Sequence, residues 1–213
     1  SEAGSIKIIS NTQNGPSAKK AVELFAARYG DVEHIMYDGV SQAAQLEANN
    51  QVFGVKAVPN YHFDKAKVIA SFDADFLGTW ISPVEYAADY SKNRKIKDVK
   101  KAEMSRHIQL ESRMSYTGSN ADERILIRPS EMAAALANLH NELATSLGVS
   151  SINTAAVNDK AMPAIKALAK ELLQHRGESL VVSGSNDLGV QLMAIKVNQM
   201  LGNYGNTLDM ASY

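Results

Sequence analysis

The sequence predicts a doubly wound α/β fold, in which helices cover both faces of a mostly parallel sheet of about six strands. Short apolar runs rich in branched residues alternate with segments of helical periodicity along the chain. One run, residues 68–72, lacks polar alternation and is therefore expected to be a strand buried on both faces. With 213 residues, 45% of them hydrophobic, the chain can bury a substantial core, and we expect a single domain over residues 1–213.

The predicted strands are short apolar runs bounded by polar or turn-forming segments. They cover residues 5–10, 34–37, 68–72, 106–110, 124–127 and 180–182. Three further segments are predicted to be irregular because proline or clustered polar residues favour turns and loops. These are a loop at 58–60, a polar turn at 117–120 and a surface connection over 150–161.

Of the first three predicted helices, the first and the third have a recognisable beginning. Pro16 can open a helix whose apolar positions are spaced by four, three and four residues, and Gly30 is a natural stop. These positions are Ala18, Val22, Phe25 and Tyr29. A second helix covers about residues 41–53. The third begins with a capping box, Ser82-Pro83-Val84-Glu85, and runs to about Lys92.

The last three predicted helices follow the same alternation with strands. Pro129 opens a long helix with one apolar stripe, another helix covers residues 159–175 with an interruption at Pro163, and the last covers residues 188–201. The stripe consists of Met132, Leu136, Leu139, Leu143 and Leu147. This order of strands and helices makes the predicted fold Rossmann-like.

Composition excludes several classes of function. The formal net charge is −1, from 22 basic and 23 acidic residues, which argues against non-specific binding of nucleic acid. The chain has no cysteine, which excludes disulfides, thiolate nucleophiles, cysteine zinc sites and ordinary iron–sulfur ligation within it. No apolar stretch is long enough to span a membrane, and residues 1–4 do not form a signal peptide. Because both ends look cut, we expect a fragment of a longer multidomain protein.

The common catalytic and cofactor-binding motifs are missing from the sequence. There is no Gly-x-Gly-x-x-Gly fingerprint and no Gly-x-Ser-x-Gly elbow. Gly184 and Gly189 have the Walker spacing, but Val190 stands where the phosphate-binding lysine belongs. The five histidines are far apart in the sequence, so no local metal site is predicted. We expect His107 to be a core histidine and His140 to be a partly exposed helix residue.

Three polar loops follow predicted strands, at the edge where doubly wound sheets bind ligands. Residues 11–15 precede a helix whose amides could hold an anion, with a plain turn as the alternative interpretation. Asp73 and Asp75 bring two carboxylates to one strand end, as a metal or base site or as a solvated terminus. Residues 184–187 form either a capped turn or a phosphate cradle. The residues alone therefore predict an α/β domain with a lost or unusual nucleotide site.

A longer set of motifs resembles the molybdopterin oxidoreductase superfamily. The chain is most similar to the molybdopterin-oxidoreductase-like half of the large iron–sulfur subunit of bacterial alternative complex III, a quinol:cytochrome c oxidoreductase. The similarity is strongest over residues 53–139, with a second region at 179–208. The segments that carry it are DKAKVIASFDADFLGTWISPVEY (64–86), FGVKAVP (53–59), ESRMSYTG (111–118), ADERILIRP (121–129) and LGNYGNT (201–207).

The resemblance also implies a degenerate cofactor site. Relatives that bind a pterin guanine dinucleotide commonly have glycine where this chain has Asp73, and an aspartate that binds the guanosine where it has Glu111. Arg113 is kept, and Asp75 lies in the same loop as Asp73. An aspartate facing an anionic cofactor is unfavourable, so the resemblance implies a vestigial site formed by Asp73, Asp75, Glu111 and Arg113.

The function implied by the resemblance is that of a non-catalytic, cofactor-free scaffold domain. Electron transfer would be carried by iron–sulfur clusters elsewhere in the parent subunit. The partners would be other domains of the same polypeptide and other subunits of a membrane-bound respiratory complex, at the periplasmic face of the bacterial inner membrane. The alternative is a molybdopterin guanine dinucleotide-binding domain of an active molybdenum oxidoreductase.

Overall fold

The computed structural model describes residues 4–13, 15–96 and 99–210, except for the side chain of Lys101. Residues 1–3, which belong to the segment excluded above as a signal peptide, lie outside the described residues. The chain divides into two compact units, Ser1–Gln42 and Ala43–Tyr213. That residues 1–213 form one domain stays a prediction.

The first unit contains two strands and one helix. Strand β1 (Ile6–Ser10) pairs in parallel with β2 (Val32–Met36), so that Ile6 lies opposite Val32. Helix α1 (Pro16–Tyr29) connects them, beginning at the predicted proline and ending before Gly30. None of the helix residues is buried, although the predicted apolar stripe lies on this helix.

The second unit contains the remaining elements. In chain order they are α2 (Ala43–Phe53), β3 (Asn60–Tyr61), β4 (Val68–Phe72), α3 (Pro83–Lys92), β5 (Arg106–Glu111), α4 (Tyr116–Ser119), β6 (Glu123–Leu126), α5 (Met132–Leu147), α6 (Ala161–Gln174), β7 (Ser179–Ser183), α7 (Leu188–Leu201) and β8 (Leu208–Asp209). Short 3₁₀ turns at Val99–Lys101 and Pro129–Glu131 precede β5 and α5. Every strand and helix predicted for this unit is present.

The main sheet has four parallel strands in the order β6-β5-β4-β7. In its register, Val68 of β4 lies opposite Arg106 of β5 and Ser179 of β7. Strands β3 and β8 form a separate antiparallel pair. The predicted sheet of about six strands is therefore too large. All six predicted strands exist, but β1 and β2 form a sheet of their own. The sequence did not predict this, because an alternating pattern of strands and helices does not specify which strands pair.

Both faces of the main sheet are buried, as predicted for β4. Val68, Ala70 and Phe72 belong to one core cluster with apolar residues of α5, α6 and α7. Ile69 belongs to the opposite cluster, which contains residues of α3 and a layer of aromatic side chains. The aromatic members are Tyr61, Phe63, Phe76, Trp80, Tyr86 and Tyr90. The stacked rings of Phe63 and Phe76 have centroids 4.3 Å apart.

Several local predictions differ from the structure. Ser82 precedes α3 but its side chain makes no capping hydrogen bond, so the predicted capping box is wrong. Pro163 does not interrupt α6, because it lies in the first turn, where a helix needs no amide donor. The predicted turn at 117–120 lies largely within helix α4, and Asn60 belongs to a short strand rather than to a loop.

Candidate functional site

The candidate site lies at the carboxyl ends of β4, β5 and β7. The chain runs from β4 outward through β5 to β6 and then returns to place β7 on the other side of β4. In open α/β sheets, ligands bind where the strand order reverses in this way. Residues 73–81 follow β4 and residues 184–187 follow β7, so both loops are at this reversal. Residues 11–15 follow β1 in the first unit instead.

Asp73 has a backbone conformation that favours glycine. Its φ is +55°, in the left-handed region that aspartate tolerates better than most side chains. Its amide donates to Leu110 O at 2.8 Å, which fixes the loop to β5. Desolvation raises the pKa of the Asp73 carboxyl, Arg113 opposes this shift, and Glu111 and Asp75 add to it. The four predicted residues are therefore close enough to interact electrostatically.

Asp75 connects the β4 loop to helix α4. Its Oδ1 accepts hydrogen bonds from Thr117 N at 3.0 Å and from Thr117 Oγ1 at 2.7 Å. Leu77 N donates to the same Thr117 hydroxyl at 2.8 Å. Gly78 has no space for a side chain, because a Cβ there would overlap the Asp75 carboxylate. The Asp75 side chain thus acts as an internal cross-link between two loops.

Glu111 is completely buried and has its own set of partners. It accepts from Ser115 Oγ at 2.6 Å, from Gln109 Nε2 at 3.3 Å and from Arg124 Nε, with which it forms an ion pair. Burial alone would raise the pKa of Glu111, but the hydrogen bonds from Ser115 and Arg124 outweigh it and lower the pKa. Arg113 is exposed, and Arg124 is the arginine that neutralises Glu111.

The loop after β7 packs directly against the loop after β4. Gly184 lies so close to Asp73 that an added Cβ would overlap the Asp73 carbonyl oxygen. Asp187 caps α7, because its Oδ1 accepts from Val190 N at 3.0 Å. Asn186 Oδ1 accepts from Ala44 N at 3.0 Å. Of the two interpretations of residues 184–187, the structure supports a capped turn.

The loop after β1 is hydrogen-bonded to the carboxylate of Asp38. Thr12 N donates to Asp38 Oδ1 at 2.8 Å, and the Thr12 hydroxyl donates to the same carboxylate. These bonds lower the pKa of Asp38. Gly15 precedes α1 without a side-chain cap, and Asn14 lies outside the described residues. The Asp38 carboxylate thus accepts from Thr12, in the loop where the sequence indicated that backbone amides could hold an anion.

His107 and His140 are both buried. His107 is completely buried, with Nδ1 3.2 Å from Tyr90 Oη and Nε2 3.2 Å from Gln109 Oε1, which confirms it as a core histidine. Burial lowers the pKa of His107 to about 4. His140 is only 3% exposed, so its prediction as a partly exposed residue is wrong. The reason is that α5 packs against both α6 and α7.

Sequence reasoning missed the residues that bind the predicted carboxylates. Thr117, Ser115 and Arg124 come from α4, its cap and β6, and only folding brings them to Asp75 and Glu111. The cap position of Ser115, whose hydroxyl accepts from Gly118 N at 2.9 Å, is the one local signal that pointed there. Among residues 4–13, 15–96 and 99–210, no group of three or more His, Asp or Glu is arranged to hold a metal ion.

No protein-family model and no curated protein matches the chain. Within the described part of the chain, no helix is both long and apolar enough to cross a membrane. Function is therefore argued from the motifs and from the geometry of the candidate site.

Proposed function

We propose that this chain is a non-catalytic, cofactor-free scaffold domain of the iron–sulfur subunit of a respiratory quinol:cytochrome c oxidoreductase like alternative complex III. The proposal rests on the motif similarity over residues 53–139 and 179–208. It includes a doubly wound, Rossmann-like fold, for which the strand order β6-β5-β4-β7 is the supporting observation. Its partners would be other domains of the polypeptide and other subunits at the periplasmic face, and electron transfer would take place in those parts.

The observation that carries the proposal is the internal use of the site's carboxylates. Both oxygens of Glu111 accept from Ser115, Gln109 or Arg124, so neither is directed to a guanine ring outside the fold. Asp75 Oδ1 accepts from Thr117 N and Oγ1, and Asp75 Oδ2 lies 3.4 Å from Thr79 Oγ1. Residues that would have to bind a pterin guanine dinucleotide thus hold the protein's own loops together. They do not fit that cofactor.

Electrostatics supports the same conclusion. Glu111 and Asp75 both act to raise the pKa of Asp73, and Arg113 is the cation that acts to lower it. A phosphate a few ångströms from a carboxylate is disfavoured by a few kcal/mol, roughly, at an effective dielectric constant near 20. A penalty of about 1.4 kcal/mol already weakens binding tenfold. Close packing of Gly184 on Asp73 further restricts the space in which a phosphate could lie.

Calorimetric titration with GDP and GMP tests the proposal. We expect no heat of binding from the unmodified chain at nucleotide concentrations up to about 1 mM. Asp73→Gly removes the charge and suits the positive φ, whereas Asp73→Asn removes the charge and keeps a side chain. Binding gained by both variants would identify charge as the obstacle, and binding gained by glycine alone would identify the side chain. Micromolar binding by the unmodified chain would contradict the proposal.

One observation favours the alternative, a molybdopterin guanine dinucleotide-binding domain of an active enzyme. Asp73 keeps the backbone conformation that suits the glycine common in cofactor-binding relatives. Metal analysis of the full-length protein separates the two functions. Stoichiometric molybdenum or tungsten would support the alternative, and its absence from protein produced with an adequate molybdenum supply would support the scaffold.

A further inference from the structure

The two edge strands of the four-stranded sheet, β7 and β6, differ in how the peptide groups on their outer sides are covered. At the β7 edge, Asn198 of α7 behaves like a neighbouring strand. Its Oδ1 accepts from Val181 N at 3.1 Å and its Nδ2 donates to Val181 O at 2.7 Å. Gln191 Nε2 donates to Ser183 O at 3.1 Å on the same edge. Side chains therefore take up peptide groups of β7 that an added strand would need, and this edge is closed.

Among the residues that the structure describes, no side chain closes the β6 edge in this way. Strand β6 pairs with β5 alone, so it presents the unpaired peptide groups of an edge strand on its outer side. A groove of about 550 Å³ follows residues 123–129, and its other wall contains Asn158 and the first residues of α6, Ala161 and Ala164. Leu126 lines this groove and is 63% exposed. An extended chain could lie here with its backbone against β6 and an apolar side chain against Leu126.

The charged residues that line the groove indicate what kind of peptide would bind there. Glu123 forms an ion pair with Arg106 at 2.6 Å, and Arg124 forms one with Glu111. The two other charged residues of the lining, Arg128 and Lys160, are exposed and form no ion pair within the described residues. The groove therefore has two exposed cations beside an open strand edge. Of the carboxylates nearby, Glu123 shares Arg106 with Glu171, and Glu131 accepts from Arg128 N and Asn158 Nδ2.

We propose that the β6 edge binds an extended, acidic peptide segment of a partner protein, which adds to the sheet as a fifth strand. Backbone hydrogen bonds to β6 would hold the segment, and acidic side chains would pair with Arg128 and Lys160. A second copy of this chain fits the groove less well, because its own β6 edge brings the same positive charges. The inference does not depend on the proposed scaffold function.

Fluorescence anisotropy with three labelled peptides tests this surface. The first alternates valine and glutamate, the second has lysine in place of glutamate, and the third repeats the first with every backbone nitrogen methylated, so that neither edge of the peptide can donate a hydrogen bond. We expect the acidic peptide to bind and the lysine peptide to bind at least about tenfold more weakly. The methylated peptide should not bind at a protein concentration of about 1 mM. Equal binding of the methylated peptide would overturn strand addition, and absence of binding by the acidic peptide would overturn the site.

Charge reversal locates the binding on the protein. In the double variant Arg128→Glu, Lys160→Glu, the acidic peptide should lose at least about tenfold in affinity and the lysine peptide should gain. Lys170→Glu, an exposed position of α6 that does not line the groove, is the matched control and should change neither affinity. An equal loss in both proteins would overturn the site. Concentration-dependent dimerisation that disappears in the double variant would also overturn the proposal, in favour of a second copy.

Discussion

Two residues of the β4 loop have backbone conformations that their side chains disfavour. Asp73 and Ile81 both have a φ of +55°, and for the β-branched Ile81 this is a true outlier. The surrounding contacts hold the loop between them: Asp75 is bound by Thr117, and Trp80 is 5% exposed. Such strain persists only where the rest of the structure determines the conformation. The contacts around the loop therefore determine its conformation, which agrees with a structural role for Asp75.

His107 should make the stability of the protein dependent on pH. The pKa of His107 is about 4 in the folded chain against 6.5 in an unfolded one, so the unfolded state binds more protons between these values. Stability from the neutral, buried ring is fully present above pH 6.5 and is lost as the pH falls toward 4. The expected loss is about 3 kcal/mol.

Urea unfolding between pH 7 and pH 4 measures this effect. His107→Gln keeps a polar side chain that does not titrate, so the difference in unfolding free energy between the two proteins should change across this range. Proton NMR of the imidazole gives the direct check. An imidazole titration midpoint near 6.5 would contradict the prediction.

At the level of elements, two helices that are each preceded by a residue type favoured at the N-cap are capped differently. Ser82 precedes α3 without a side-chain hydrogen bond, whereas Asp187 caps α7 through Val190 N. We therefore expect Ser82→Ala to change the unfolding free energy by less than about 0.5 kcal/mol, and Asp187→Ala to destabilise the protein by about 1 kcal/mol. Urea denaturation of both variants provides the measurement. Equal losses would show that Ser82 caps its helix in solution.

The two edges of the main sheet differ in how easily another strand could pair with them. Asn198, which also donates to Ala194 O at 2.9 Å, is 3% exposed and is held on α7. Natural sheets usually avoid unwanted pairing by covering or charging their edges. Here β7 is covered by side chains, whereas β6 is left open beside two cations. This difference is the structural basis of the inferred peptide site.

For the whole molecule, the hydrophobic core belongs to the second unit. Within the described residues, every fully buried apolar side chain lies in Ala43–Tyr213. We expect a chain that begins at Ala43 to unfold cooperatively in urea, because its core is complete. A chain that ends before α7 is the control, since it loses Asn198 and the buried Val197 and Leu201 and should not fold. Loss of cooperative unfolding in the first chain would contradict the prediction.

Local patterns in the sequence were sufficient for the six longer strands and the six longer helices, but not for the short elements β3, α4 and β8. Pro129, predicted to open the long helix itself, opens a 3₁₀ turn, and α5 begins at Met132. The run at Val68–Phe72 predicted a fully buried strand, and Pro16 predicted the beginning of α1. These predictions are confirmed because burial periodicity and proline geometry act over a few residues. The wrong prediction at Ser82 also concerns only a few residues. The residue types there allow a capping box, but Ser82, with a φ of −136° and a ψ of 68°, makes no side-chain hydrogen bond to the helix.

Only the tertiary structure decided which strands share a sheet and what the acidic residues do. The sequence determined an α/β chain without cysteine and with acidic residues after two of its strands. That β1 and β2 pair apart from the other four, and that Glu111 binds Arg124 while Arg113 stays exposed, depends on contacts between distant segments. Strand pairing and ion pairing are chosen by the free energy of the whole packed arrangement, in which a buried carboxylate must find a partner. No local pattern contains that choice.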